Sequence, residues 1–251
     1  MTGQIRDRDD DLASLRRTIA LGCRILAHQG LAEDVLGHVS VRVGQDRMLV
    51  RCRGPADRGL LFTEPSDVRL VDFDGRGELD GGYAVPNELP IHAELLRARP
   101  EVTAVVHAHP PSVLVAGLAG VRLRPVFGAY NIPATRLALD GVPVYRRAVL
   151  IRRPDLGREM VAAMGDSPVC MLYGHGVTTV GESVEQAVVR ALNLDALARV
   201  SLDVARVGGR PPDLPSEDIA ELPDLGSAFN DASVWRHHVA RLEHAGLLPT
   251  R

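Results

Sequence analysis

Hydrophobic and polar positions along this chain recur with two different periods, and each change of period marks an element. Leu12, Leu15, Ile19, Cys23 and Leu26 return every three or four residues. That spacing gathers side chains on one face of a helix, and Gly30 follows as a stop. Val39, Val41 and Val43 then alternate with polar neighbours, Gly44-Gln45-Asp46 turns the chain, and Met48-Leu49-Val50 returns, which predicts a β-hairpin. A third strand is predicted over 68–73, ended by Asp74-Gly75. The stretch 51–65 is rich in glycine, proline and charge, and loops of that length in compact domains are often functional.

Asn87 is placed to cap a helix over 88–97, with Pro90 tolerated in its first turn and Pro100 preventing continuation. A strand over 102–107 follows, and Pro110-Pro111 opens a helix ending near 117–120. Beyond an irregular stretch come strands at 142–145 and 149–151, a helix over 155–164 and an apolar strand over 169–173. The longest helix is predicted from 183 to about 207, broken by Gly208-Gly209-Arg210-Pro211-Pro212, with a last helix near 234–245. Strands interleaved with helices in this way predict a mixed, largely antiparallel sheet with helices packed on it.

Composition narrows the functions open to such a fold. The chain has 251 residues, 45% of them hydrophobic and 24% charged, with a net charge of -3. Without concentrated positive charge, neither nucleic acid nor an anionic membrane is an expected partner. No apolar run approaches the ~20 residues needed to span a bilayer. The stretch Arg6-Asp7-Arg8-Asp9-Asp10-Asp11 lacks the apolar centre of a signal peptide, so the cytoplasm is the expected compartment. Cys23, Cys52 and Cys170 are far apart and form no Cys-x-x-Cys pair; they are expected to be reduced core thiols rather than metal ligands.

Candidate chemistry concentrates where strands end. His107-Ala108-His109 closes the apolar run 102–106, and Gly174-His175-Gly176 follows the run 169–173. Alternate residues of an extended segment point to one face, so a His-x-His can bring two imidazoles to one ion, and a histidine between glycines sits on an open turn. Three imidazoles with a free coordination position make a catalytic rather than a closed metal site. Such an ion acts as a Lewis acid on a bound oxygen and acidifies the adjacent carbon. That suits making or breaking a carbon–carbon bond beside a carbonyl, or moving a proton there. Taken singly, each signal also describes histidines bonded to backbone groups, and Glu88 also describes a favourable charge in a helix's first turn. His92 lies one helical turn beyond Glu88, on the same face, as an orienting or packing partner.

Taken in order, Glu88, His107-Ala108-His109 and Gly174-His175-Gly176 before a long helix resemble the class II aldolase/adducin family. Gly37-His38-Val39-Ser40-Val41-Arg42 is similar to that family's Gly-Asn-x-Ser-x-Arg segment, and Pro86-Asn87-Glu88-Leu89-Pro90-Ile91-His92 is a further mark. The resemblance covers roughly residues 12–206 of a single 1–251 unit and leaves 207–251 as a C-terminal extension. It implies a three-layer α/β/α sandwich and a homo-oligomer, commonly a fourfold-symmetric tetramer with active sites at subunit interfaces. It also implies one divalent ion per subunit on His107, His109 and His175, manganese or zinc with iron as the alternative, and no organic cofactor. Glu88 corresponds to the acid/base carboxylate and is able to act as a fourth ligand. Tyr130 stands at a distance resembling that of the proton-donating tyrosine in sugar-phosphate members, while Arg124 and Arg136 offer forks for a carboxylate.

Departures from the sugar-phosphate members redirect the substrate. Their Gly-Asn becomes Gly37-His38, their Thr-Gly loop becomes the longer 52–59 segment, and their Ser-Ser before the glutamate becomes Pro86-Asn87. A proline brings neither an N–H nor a hydroxyl to a phosphate. Arg51, Arg53 and His38 suit a planar carboxylate instead, and this region resembles the branch acting on hydroxylated aromatic and heteroaromatic acids. The expectation is therefore a carbon–carbon lyase that decarboxylates such an acid through a metal-stabilised enolate. In it Glu88 moves the proton, Tyr130 or His38 assists, and Arg53, Ser40 and Asn87 bind substrate. The alternatives are an aldolase on a hydroxy-keto substrate and a non-haem iron oxygenase on a hydroxyphenylpyruvate-like acid. A non-catalytic adducin-like module would have lost histidines that are all present here. His237-His238 beside Trp235 fits either a tail closing over a neighbour's site or a docked amphipathic helix.

Overall fold

The computed structural model describes residues 2–250 of the chain. Seven strands form one sheet: β1 (His38–Val43), β2 (Arg47–Arg51), β3 (Val68–Asp72), β4 (Ala104–Ala108), β5 (Val144–Tyr145), β6 (Val169–Leu172) and β7 (Gly176–Gly181). Their spatial order is β3-β2-β1-β4-β7-β6-β5. Every neighbouring pair is antiparallel except β5 and β6, which run parallel. The helices are α1 (Thr2–His28), α2 (Leu89–Ala98), α3 (Pro111–Leu118), α4 (Ile132–Leu137), α5 (Pro154–Met164), α6 (Val184–Arg206), α7 (Ser216–Glu221) and α8 (Gly226–His244).

The sheet is the middle layer of an α/β/α sandwich. One apolar cluster joins Ile19, Cys23 and Leu26 of α1 and Leu194 and Leu197 of α6 to Val39, Val41 and Val106 of the sheet. The other joins Ile91 and Leu95 of α2 and Leu156 and Met160 of α5 to Val50, Val105 and Cys170. Each large aliphatic side chain so buried contributes about 1.5–3 kcal/mol. Strand alternation sorts the residues between the clusters. In β4, Ala104, Val106 and Ala108 face α1 and α6, while Val105 faces α2, and His107 shares its face. In β1, Val39 and Val41 face α1, which leaves His38 and Ser40 toward α2.

Several local expectations are corrected. Helix α1 begins at Thr2, ahead of the first apolar position of its pattern at Leu12, and α8 begins at Gly226 rather than near 234. Asn87 is exposed and does not cap α2; Glu88 occupies the cap position without a side-chain cap bond, and Pro90 lies in the first turn. No strand forms at 149–151, and of 142–145 only Val144-Tyr145 pairs. Strand β7 was not expected, nor were the six-residue helices α4 and α7. Arg124 is not free for a carboxylate ligand: it pairs with Asp213 and donates to Pro211 O. Arg136 donates to Leu222 O at 2.7 Å. Both arginines strap the C-terminal segment to the body. Trp235, Val239 and the fully buried Leu242 pack α8 against the α1–α6 cluster, so this is a docked helix.

Candidate metal centre

Four elements deliver the donors. Glu88 enters from the start of α2, His107 from the end of β4, His109 from the turn after it, and His175 from the β6–β7 turn. The backbone pins each of these turns. His109 N donates to Leu31 O at 2.8 Å and His175 N to Leu172 O at 3.0 Å. Gly174 has φ +63°, a left-handed conformation that favours glycine. A Cβ at Gly176 would stand 2.3 Å from Ala108 O, so only a glycine lets the β6–β7 turn lie this close to the end of β4.

The polar atoms converge. One donor atom each from Glu88, His107, His109 and His175 lies within 4.8 Å of the other three. Glu88 Oε2 is 3.2 Å from His107 Nε2 and 3.4 Å from His175 Nε2, and the Nε2 atoms of His107 and His109 are 2.8 Å apart. His107 Nδ1–H donates to Val177 O at 2.9 Å, so Nε2 keeps its lone pair and points inward, the arrangement that orients a ligating histidine. His175 Nδ1 is buried without a hydrogen-bond partner among the described residues. Lone pairs of ring nitrogens aimed at one another repel unless a cation or proton lies between them. Three nitrogens and a carboxylate oxygen are the donor set of a borderline divalent ion, and the residues present fit one.

Electrostatics agree with that use. Burial, reinforced by His107 and His175, pushes His109 down to about 3, leaving it the neutral imidazole that a metal requires. Burial alone would raise the Glu88 carboxyl, but the facing His107 and His175 outweigh it and hold Glu88 ionised, well below the usual carboxylate range. Its other oxygen, Oε1, accepts the Ile151 N–H at 3.0 Å. Sequence reasoning could not find that donor, because a backbone amide leaves no residue-type signal.

Beside the donors runs a second polar chain. Ser40 Oγ is 2.6 Å from His92 Nδ1, and His92 Nε2 is 2.7 Å from His38 Nδ1. The His38 ring centroid lies 5.0 Å from that of His107, its direct partner across β1 and β4. Burial pushes His92 down to about 3 and His38 well below the ordinary histidine value.

The other candidate residues are placed differently. Ser40 is fully buried with its hydroxyl committed to His92, which corrects the expectation that it binds substrate. Tyr130 is 78% exposed and among the described residues its ring meets only Phe127, so one chain by itself does not bring it to the centre. Arg53 is exposed, with one nitrogen 3.3 Å from Val35 O. Asn87 is exposed and makes no hydrogen bond among the described residues. Arg51 is buried and paired with Asp57 at 2.5 Å. Cys23, Cys52 and Cys170 are buried free thiols away from the donor cluster.

A three-layer sandwich with a three-histidine, one-glutamate centre defines a class. The chain belongs to the family described as Class II Aldolase and Adducin N-terminal domain, whose model matches residues 17–202. It is 58% identical over 237 residues to the 3,4-dihydroxyphthalate decarboxylase of Arthrobacter keyseri, covering 93% of this chain and 96% of that protein. Against the 3,4-dihydroxyphthalate decarboxylase of Rhodococcus jostii the identity is 53% over 237 residues, with 93% and 98% covered. Among solved structures, an aldolase II superfamily protein from Pseudomonas syringae superposes with a TM-score of 0.78 at 23% identity, covering 98% of each chain. The L-fuculose 1-phosphate aldolase of Glaciozyma antarctica gives 0.75 at 21%, covering 96% of this chain and 93% of that one. These two likenesses concern the fold.

Proposed function

We propose that this chain is a divalent-metal-dependent carboxy-lyase acting on an ortho-hydroxylated aromatic acid, with 3,4-dihydroxyphthalate as the substrate to try first. The observation that carries this reading is the 58% identity, over almost the whole of both chains, to a decarboxylase of that compound. The four-donor centre supplies the chemistry the reaction needs.

In this proposal His107, His109 and His175 hold the ion through Nε2, and Glu88 is able to act as a fourth ligand. A bound manganese or zinc, with iron as the alternative, supplies Lewis-acid polarisation of substrate oxygens. Glu88, ionised and steadied by Ile151 N–H, takes the proton of the ortho hydroxyl as substrate binds. The ring–carboxylate bond then breaks, its electron pair stays with the ring, and carbon dioxide leaves. Glu88 returns the proton to the vacated ring carbon. Atoms and electrons balance without an oxidant or an organic cofactor, and dihydroxyphthalate would leave as dihydroxybenzoate. His38 borders the centre and assists. Arg53 and Asn87, exposed and without strong partners, are proposed to orient the retained carboxylate. The exposure of Tyr130 favours a homo-oligomer, a tetramer first, in which a neighbouring copy brings this tyrosine to the centre. No helix among the described residues is long and apolar enough to cross a membrane, and a cytoplasmic setting is proposed. The C-terminal extension 207–251, whose described residues are strapped to the body, is proposed to belong to the same single unit.

The test is incubation of purified protein and Mn2+ with 3,4-dihydroxyphthalate, following carbon dioxide and the aromatic product. Release is expected from the unaltered chain. His109→Ala should lower it by at least about 10³-fold, since Lewis-acid stabilisation is worth several kcal/mol and each 1.36 kcal/mol is tenfold. Unchanged release in His109→Ala would sink the metal mechanism, and oxygen uptake coupled to turnover would favour an oxygenase.

A further inference from the structure

The Ser40–His92–His38 chain has a direction, and the direction assigns His38 a task. Ser40 and His92 are both fully buried, whereas His38 keeps 5% of its surface. Substrate can therefore meet only the His38 end. His92 uses both ring nitrogens, one toward Ser40 and one toward His38. A neutral ring has one N–H, so one of these bonds runs in and the other runs out.

Two polarities are conceivable. If His38 donated to His92 and His92 to Ser40, the serine hydroxyl proton would need a further acceptor. Among the described residues Ser40 Oγ has no hydrogen-bond partner other than His92. A buried donor left without a partner is costly. In the opposite sense every proton is used: Ser40 O–H donates to His92 Nδ1, and His92 Nε2–H donates to His38 Nδ1. The His38 proton then sits on Nε2, the nitrogen left over for the pocket.

We infer that Ser40 and His92 are positioning residues that fix His38 as a neutral hydrogen-bond donor, through Nε2–H, to an anionic oxygen of the substrate. Position in the fold supports this. His38 faces His107 directly across the sheet, and His92 stands one turn from Glu88 on α2, so one helix steadies both the proton carrier and the donor. A donor oriented in advance toward developing negative charge is worth far more than one that must reorient. The chain uses no charge change in any of its members.

The inference rests on the decarboxylase reading for its kinetic arm only. The structural arm is two-bond 1H–15N correlation spectroscopy of the full chain loaded with diamagnetic Zn2+. His38 and His92 should both appear as Nε2–H tautomers, assigned from His38→Asn and His92→Asn spectra. Ser40→Ala should scramble the His92 tautomer and lower kcat/KM about tenfold, the worth of one hydrogen bond, with metal per chain unchanged. Ser40→Thr, which keeps the hydroxyl, should restore the tautomer pattern and most of the rate. His38 found as the Nδ1–H tautomer would overturn the inference, and so would Ser40→Ala with the unaltered rate and tautomers. If the unaltered chain releases no carbon dioxide, the proposed substrate fails while the spectra still decide the chain's direction.

Discussion

The same strands present two unlike surfaces. Toward α1 and α6, β1 and β4 show Val39, Val41, Ala104, Val106 and Ala108. Toward α2 they show His38, Ser40 and His107, all buried. On the first surface contact area holds the helices, and small shifts cost little in any one atom pair. On the second, hydrogen bonds of 2.6 and 2.7 Å from His92 join helix to sheet, and each depends on direction as well as distance. Neighbouring residues one position apart thus serve separate ends: the α1 side stores stability, and the α2 side spends its burial on holding polar groups in register.

The separation can be broken from either surface. The largest effect is expected from Glu88→Gln, which keeps the shape and removes the proton carrier. The kcat for carbon dioxide release should fall about 10²–10⁴-fold, the usual range for general acid–base catalysis, while the urea midpoint of the metal-free protein does not fall. A collapse of the fold instead would mean that this surface also carries the stability. Next comes Leu194→Ala on α6, fully buried on the opposite side. It should cost about 2–5 kcal/mol in urea unfolding and leave kcat within twofold. A large fall in kcat of the still-folded variant would show the surfaces to be coupled.

The smallest effect lies off both surfaces, at the C-terminal clasp. Glu64 accepts from Thr250 N at 2.8 Å and Thr250 Oγ1 at 2.6 Å, and pairs with Arg24. Burial would raise its carboxyl, but these partners prevail and hold it below the ordinary value. A carboxyl depressed by folding stabilises the fold above its unfolded pKa, about 4.3 for glutamate, and that contribution is lost as pH falls through the folded value. Amide exchange near 245–250, taken relative to its intrinsic rate at each pH, should therefore quicken on acidification below about pH 4 in the unaltered chain. In Glu64→Gln it should be fast already at neutral pH.

How far the sequence could be read follows from where each signal lives. Strand β1 and the first turn of the sheet were legible because one surface is apolar and the other polar, which produces alternation. Strand β7 is buried on both sides and bounded by glycines, so no alternation marks it in the sequence. The apolar triplet Val149-Leu150-Ile151 looks like a strand, yet the sheet already ends at β5, and Ile151 turns its amide to Glu88. Glu88, His107, His109 and His175 were readable from residue type and order alone. Ser40 was readable as a hydroxyl near the centre but not as one buried under His92, because that depends on which helix covers β1. The partners of Arg124 and Arg136 stand 86 to 89 positions away, beyond any local pattern.

Glu88 owes part of its aim to the amide of Ile151 rather than to another side chain. A main-chain N–H survives every substitution at its own position except proline. A substitution at 151 can therefore repack the apolar cluster around it without releasing the carboxylate, within the limits of a residue that is fully enclosed. The aim of the carboxylate is thus indifferent to which apolar side chain stands at 151, whereas Ile151→Pro would free it in a single step.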